Sequence, residues 1–459
     1  MILHKFSDIL IPIEQIWENL DYRNIECKNK INYIINNKKL IHQFDDDIDF
    51  CILHAINYFD NLNSFVIFGK NKNDGFEYYT ENFKNDYILY GIKHLKLKST
   101  MINKIMYQLL FSRMIINTKQ DLYREIETQF KFLSSYKDEY IDITILVVCK
   151  KDLKKKYPSD DIIDDNFNIY IPNTKDCIRN CVSLFFSNSS LKFLEKQDFD
   201  YFLGSDREKS KKMFLKYRTW LISNIDIKYQ SQFMLYSSIV LYLLGHRAIN
   251  DIDLYVHTIP NELNDKLKLF DESKNINLDF KLDFKVKNTD NWPNYWNTWL
   301  DEWAQKCGAK YFEEILGNPK YHFYFLGVKI ISLHCDITRR LLRNRPRAVA
   351  DLIALRKRYP ININIPSIPQ KYTEYISISD KKEEEIEQYI KDGFKLNNEN
   401  KELLIEHDTD IPKFINTVIY ALRERYKMTF EFDEIKRELN MLNDNIDNKT
   451  IKKLIKKKV

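Results

Sequence analysis

The sequence predicts a mixed α/β protein of two or three domains. Its 459 residues are enough for two or three domains that each bury a hydrophobic core. The strongly apolar run at residues 141–149 is typical of a buried strand, whereas apolar residues recur at helical spacing in segments 101–116 and 411–426. Because strand and helix patterns follow one another along the chain, an all-α or all-β fold is not expected.

Changes in composition predict three regions. Residues 1–210 are predicted to form an N-terminal α/β region of unknown role, with a subdivision near residue 135. Residues 215–360 are predicted to form a central domain with a short mixed sheet, because Tyr359-Pro360 is followed by a proline-containing segment typical of an extended linker. Residues 370–459 are predicted to form a helical C-terminal region that ends in a basic tail.

Composition and charge exclude several classes of protein. Lys and Arg exceed Asp and Glu by five, a mildly basic balance that permits nucleic-acid binding without requiring it. The seven cysteines are widely spaced and include no Cys-x-x-Cys pair, which favours a cytoplasmic or other reducing intracellular compartment over disulfides or a zinc site. No apolar run approaches the ~20 residues needed to cross a bilayer, so no membrane partner is expected. Only nine glycines among many Asn, Ile and Lys residues are typical of AT-rich genomes, including those of large DNA viruses.

Two aspartates mark the strand that carries the predicted chemistry. Asp251 and Asp253 flank Ile252 just before the apolar segment 254–256. Because side chains alternate faces along a strand, we expect both carboxylates on one face and Ile252 in the core. Paired carboxylates suit Mg²⁺ or Mn²⁺, which also bind the phosphates of a nucleotide. The pattern therefore predicts a metal site at Asp251 and Asp253.

The residues before this strand predict a phosphate-binding turn. Ser237 and Ser238 stand where a strand would turn into a helix over residues 239–244. Backbone N–H groups at the start of a helix attract phosphate, and small residues allow it to approach closely. Gly245 is expected to end the helix with a left-handed cap. Arg247 is then placed to contact a phosphate or one of the aspartates.

These residues resemble the DNA polymerase beta-like nucleotidyltransferase superfamily, whose signature is a Gly-Gly or Gly-Ser pair, a helix and an Asp-x-Asp strand. The pattern is most similar to the abortive-infection toxin-like branch of that superfamily. Residues 327–333, Gly-Val-Lys-Ile-Ile-Ser-Leu, are similar to its downstream strand, and residues 336–351 to the basic helical element that follows. The resemblance covers roughly residues 230–360, and it departs from the signature where Ser237 replaces the leading glycine.

The resemblance implies transfer of a nucleoside monophosphate from an NTP to a hydroxyl acceptor, with Mg²⁺ or Mn²⁺ as cofactor. The family's third carboxylate, which acts as a general base, is assigned to Asp279 or Asp283 in the alternating segment 278–284; alternatively, His322 occupies that position. The implied metal ligands are Asp251 and Asp253, and the implied nucleotide-binding residues are Ser237, Ser238, Arg247, Arg339 and Arg340.

Several alternatives stay open. The acceptor is an RNA 3′ end, as in poly(A) or tRNA-end addition, or a protein side chain. A catalytically inactive nucleotidyltransferase fold would serve as a binding or assembly module. An RNA-binding subunit would use the basic tail and an arginine cluster, and the sequence does not indicate the oligomeric state. Four of the six tryptophans lie in residues 292–303, where their spacing favours core packing over base stacking. The arginine cluster comprises Arg339, Arg340, Arg343, Arg345, Arg347, Arg356 and Arg358.

Overall fold

The computed structural model has a mixed α/β fold with small sheets, which confirms the predicted fold class at this level. No helix among the described residues is long and apolar enough to cross a membrane. The structure describes residues 62–69, 85–111, 119–134, 136–150, 168–172, 174–203, 208–225, 230, 233–256, 281–286, 294–310, 312–359, 363–365, 371–377, 383–392, 394–397, 402–428, 434 and 437–438.

The chain divides into two compact units, and neither unit is continuous in sequence. The first unit holds the described residues up to 235 and residues 318–330, and the second holds the described residues of 236–317 and all those from 331 onward. The elements up to residue 236 are β1 (Leu62–Gly69), β2 (Tyr87–Lys98), α1 (Ile102–Phe111), α2 (Lys119–Gln129), α3 (Lys131–Ser134), β3 (Tyr140–Lys150), β4 (Asn168–Tyr170), α4 (Lys175–Phe185), α5 (Asn188–Lys196), α6 (Phe199–Leu203), α7 (Glu208–Asn224) and β5 (Phe233–Tyr236). Later elements are α8 (Ser238–Leu243), β6 (Asp251–Val256), β7 (Lys281–Val286), α9 (Asn294–Lys306), α10 (Phe312–Gly317), β8 (His322–Phe325), β9 (Val328–Ile331), α11 (Leu333–Arg343), α12 (Pro346–Arg358), β10 (Lys371–Ser377), α13 (Glu383–Lys391), β11 (Lys395–Asn397), β12 (Glu402–Asp408) and α14 (Ile411–Tyr426).

The first unit contains an antiparallel sheet in the order β2-β3-β1-β4. The apolar run predicted as a strand forms β3, and residues Ile143, Ile145 and Val147 are fully buried in it. Residues 188–203 form two short helices, α5 and α6. The helix breaks there because Gln197 is extended and the Asp198 carboxylate accepts a hydrogen bond from the backbone N–H of Tyr201, at 3.0 Å.

A two-residue turn joins β8 and β9 in the same unit. Leu326 and Gly327 both adopt positive φ, 51° and 74°, as a hairpin turn of this length requires. Side chains from three helices bind the backbone of the turn. The Oε1 of Gln108 accepts the Leu326 N–H at 2.8 Å, while Arg218 and Arg179 donate to the carbonyls of Leu326 and Gly327 at 2.8 and 2.7 Å. Tertiary contacts therefore hold a leucine where Asn or Gly would be usual.

The second unit is built around β6 and a group of helices. β6 pairs in parallel with β7, α8 packs against β6, and α9 packs against α11. α12 and α14 bury the main apolar cluster of this unit, in which Val349, Ile353 and Val418 are fully enclosed. In α14 the apolar residues recur at helical spacing and bury one face, whereas the whole central stretch of α12, residues 349–355, is buried.

The C-terminal region is not wholly helical, which corrects the sequence prediction. Its described residues include an antiparallel sheet in the order β10-β12-β11, in addition to α13 and α14. α14 has the bounds of the predicted helical segment 411–426. The strands are rich in Tyr, Thr, Leu and Ile, which favour extended backbone. The basic tail at residues 452–458 lies outside the described residues.

Candidate functional site

The two aspartates occupy alternate positions of β6, as the sequence predicts. Asp251 and Asp253 are partly exposed, whereas Ile252 and Leu254 are fully buried. The alternation of the strand therefore places both carboxylates on one face and the two apolar side chains on the other. Two partly exposed carboxylates on one strand face offer a set of hard oxygen ligands.

The neighbouring strand brings a third aspartate into register. β7 runs parallel to β6, and Asp283 is paired with Asp253 in that register. Of the two aspartates considered for the third carboxylate, Asp279 lies outside the described residues. His322 is buried in β8, in the first unit, where its ring lies edge-to-face with Tyr324 at 5.3 Å. Asp283 is thus the candidate whose backbone position adjoins Asp253.

The serine pair stands at a strand-to-helix turn, as predicted, but the two residues differ in their environment. Ser237 adopts φ 71° and ψ −123°, a conformation that glycine usually supplies at the first central position of a type II′ turn. Ser238 is buried, and its hydroxyl has no hydrogen-bond partner in the described part of the chain. The side chain of Ser238 is therefore packed inside the unit and is not presented to a phosphate.

Gly245 ends α8 in the predicted manner. It adopts φ 80°, the His246 N–H donates to the Leu241 carbonyl at 2.8 Å, and the Gly245 N–H donates to the Tyr242 carbonyl at 2.9 Å. These two hydrogen bonds define a Schellman cap. Arg358 supports the cap because its guanidinium donates to the Gly245 carbonyl at 2.7 Å. The cap lets the chain turn from α8 towards β6 within a few residues.

A buried charge network accounts for three arginines that the resemblance implies as nucleotide ligands. Arg247 lies 3.3 Å from the carboxylate of Asp351. Arg339 and Arg340 both bind Asp336, at 2.9 and 2.8 Å, and Arg340 also binds Asp351. We define the buried charge network as Arg247, Asp336, Arg339, Arg340 and Asp351.

The charges in this network stabilise one another. Burial acts to raise the pKa of Asp351, but Arg340, Arg247 and the hydroxyl of Tyr426 outweigh it and hold that pKa below its ordinary value. Burial acts in the opposite sense on Arg340, whose pKa is nevertheless raised by Asp336 and Asp351. Removing one partner from such a buried pair typically costs about 3–5 kcal/mol. These arginines therefore have a structural function in the second unit.

The rest of the arginine cluster is not a uniform binding surface. Arg356 pairs with Glu438, Arg358 supports the α8 cap, and Arg345 and Arg347 are exposed. Asp351, four residues after Arg347, binds Arg247 and Arg340 within the buried charge network. Arg343 is half-buried, and its Cζ lies 5.2 Å from the centroid of the Trp299 ring.

An aromatic stack lies on the carboxylate face of β6. Tyr255 follows Asp253 by two residues and therefore shares its face. Its ring stacks on Tyr236 at 3.9 Å and on Trp303 at 5.7 Å, and Trp303 stacks on Trp299 at 6.2 Å. Trp303 is fully buried, which confirms core packing for that tryptophan. Sequence analysis missed Tyr236 and Tyr255, although the i, i+2 relation of Asp253 and Tyr255 was a signal that could have identified the second.

Among the described residues, no group of three His, Cys, Asp or Glu side chains gathers as a ready metal site. No protein-family model, curated protein or solved structure matches this chain.

Proposed function

We propose that this chain is a metal-dependent nucleotidyltransferase that transfers a nucleoside monophosphate from an NTP to a hydroxyl acceptor. The observation that carries the proposal is the register of β6 and β7, which sets Asp283 beside Asp253 while Asp251 and Asp253 share one partly exposed face. The strand pair therefore carries aspartates at adjacent backbone positions, and aspartate is a residue that strands otherwise disfavour.

The donor set fits Mg²⁺ or Mn²⁺. Asp251 and Asp253 supply oxygen ligands from a single rigid strand, and partial exposure leaves room for water and phosphate oxygens in the coordination sphere. When bound, the ion would neutralise charge on the triphosphate and stabilise the attacking and leaving oxygens. Asp251 and Asp253 would hold it in place.

Other residues of the chain would act as the base and bind the phosphates. Asp283 is the candidate base that accepts the proton of the acceptor hydroxyl as its oxygen attacks the α-phosphate and pyrophosphate leaves. The backbone at Ser237 would approach the phosphates in the conformation that glycine adopts in the superfamily signature. The acceptor is an RNA 3′ end or a protein side chain.

The direct test is label transfer. Purified full-length protein is incubated with each α-labelled NTP, Mg²⁺ or Mn²⁺, and a mixture of RNA and protein acceptors. We expect labelled acceptor with the wild type and at least a roughly hundredfold loss with Asp251→Asn or Asp253→Asn, because each change removes a charged metal ligand. Asp408→Asn is the matched control, since Asp408 is an exposed aspartate at the end of β12 in the same unit. Transfer that survives both site substitutions would contradict the proposal.

A catalytically inactive binding module is the second candidate. It is favoured by the buried charge network, which occupies Arg247, Arg339 and Arg340 with internal carboxylates. Such a module would show metal-dependent thermal stabilisation by an NTP that Asp251→Asn abolishes, yet no label transfer with any acceptor. An RNA-binding subunit would instead bind RNA with a steep salt dependence that Asp251→Asn leaves unchanged.

A further inference from the structure

Arg343 stands apart from its neighbours on α11. Arg339 and Arg340 are neutralised by Asp336, at 2.9 and 2.8 Å. Within the described ranges, by contrast, no carboxylate pairs with Arg343; its recorded contact is with the ring of Trp299, at 5.2 Å. A half-buried guanidinium without a counter-ion is unfavourable unless a ligand or another interaction compensates it.

The position of Arg343 relates it to the carboxylate face of β6. Trp299, on which it lies, belongs to the aromatic stack that continues through Trp303 and Tyr255. Tyr255 shares its strand face with Asp253. The aromatic stack thus forms a continuous path from the carboxylates to the guanidinium.

Electrostatics agree with that placement. Asp253 and Arg343 both lie close enough to the hydroxyls of Tyr236 and Tyr255 to act on them electrostatically, with opposite signs. The carboxylate and the guanidinium therefore lie around one pair of rings. Burial and the nearby charge of Arg339 lower the pKa of Arg343, so a bound anion would stabilise the charged guanidinium.

A purely structural function explains less. Arg343 is the last residue of α11, where a cation is stabilised by the helix dipole, typically by less than about 1 kcal/mol. That effect needs neither Trp299 nor proximity to the tyrosines. Base stacking on Trp299 is also disfavoured, because the indole already stacks on Trp303 and carries the guanidinium.

We propose that Arg343, oriented by Trp299, binds the β- and γ-phosphates of the NTP, the part that leaves as pyrophosphate. This inference rests on the proposed function and adds to it a residue that the superfamily-like motifs did not indicate. The planar guanidinium suits bidentate contact with phosphate oxygens, and its indole support reduces the freedom lost on binding. The metal ligands Asp251 and Asp253 would lie towards the α-phosphate.

The test measures binding of inorganic tripolyphosphate to the full-length protein in Mg²⁺ by isothermal titration calorimetry. Arg343→Met removes the charge and keeps the length of the side chain, and Arg343→Lys keeps the charge and loses the planar fork. Arg347→Met is the matched control, because Arg347 is an exposed arginine of the same cluster. We expect at least a tenfold rise in Kd for Arg343→Met, a smaller rise for Arg343→Lys, and a change of less than twofold for Arg347→Met.

The outcomes separate this inference from the proposed function. Unchanged tripolyphosphate affinity in Arg343→Met, with label transfer that still requires Asp251, would overturn the inference and leave the transferase standing. If Arg343→Met does not fold, equal affinity of Arg343→Lys and wild type would overturn it in the same way. A selective loss of affinity at Arg343 in a protein that transfers no label would support the phosphate subsite and count against the transferase.

Discussion

Ser237 adopts a backbone conformation that L residues rarely occupy, at φ 71° and ψ −123°. Strain of this kind typically costs about 1–3 kcal/mol, and glycine avoids it at an entropic cost of about 0.5–1 kcal/mol. We therefore expect Ser237→Gly to raise the free energy of unfolding by about 1 kcal/mol, measured by chemical denaturation.

Ser237→Ala is the control for this prediction. Alanine retains the Cβ that causes the strain, so its stability should stay within about 0.5 kcal/mol of the wild type. A Ser237→Gly protein no more stable than Ser237→Ala would show that the turn is not strained.

At the scale of the residue, the sequence predicted where a residue lies in its helix or strand better than it predicted which residues its side chain contacts. Local patterning was enough to place Asp251, Asp253 and Gly245, because strand alternation and helix capping depend on a few adjacent residues. It did not predict that Arg247 binds Asp351, since the two residues are 104 positions apart. The same limitation hid the difference between Arg340 and Arg343, which only the surrounding helices create.

At the scale of the element, α8 depends on its cap. The helix has only six residues, so its cap contributes a large share of its hydrogen bonding. Because Gly245 has φ 80°, we expect Gly245→Ala to lower the free energy of unfolding by about 1–2 kcal/mol. The measurement is the midpoint of urea denaturation at constant slope.

Gly317 provides a matched control in the same unit. It ends α10 with open space around its Cα and without a positive φ. Gly317→Ala should therefore be neutral or stabilise by up to about 1 kcal/mol. Equal losses at both glycines would indicate a general intolerance of alanine and no special function for the cap.

Element predictions succeeded where one physical signal dominated. The amphipathic pattern and the capping Asp410 make residues 411–426 an unambiguous helix, and the structure forms it with those bounds. The C-terminal sheet was missed because β10 and β12 mix charged and apolar residues, and β10 pairs with β12 across the whole of α13 and β11. Short strands of this kind are stabilised by cross-strand partners that a local pattern does not specify.

At the scale of the whole molecule, Lys329 predicts a pH dependence of stability. Burial, followed by the charge of Arg179, lowers its pKa from 10.5 to about 7. Between these values the unfolded chain binds more protons than the folded chain, so stability rises with pH across this window. We expect the wild type to gain stability between about pH 7 and pH 10 by more than about 1 kcal/mol, the equivalent of one pKa unit.

Lys329→Met removes the titrating group and keeps a long side chain in β9. It should be more stable than the wild type at pH 7 and should lose most of the advantage near pH 10, as followed by chemical denaturation at each pH. Parallel pH profiles for the two proteins would show that Lys329 keeps its ordinary pKa in the folded state.

The turn at Leu326-Gly327 limits how this protein can be dissected. Its backbone groups are satisfied by Gln108, Arg179 and Arg218, which precede it by 218, 148 and 108 residues. A fragment of residues 230–360 would lack these side chains, so the turn would lose three hydrogen bonds and the contacts that hold Leu326 at positive φ. We therefore expect residues 230–360 to be less stable as a fragment than they are in the whole chain.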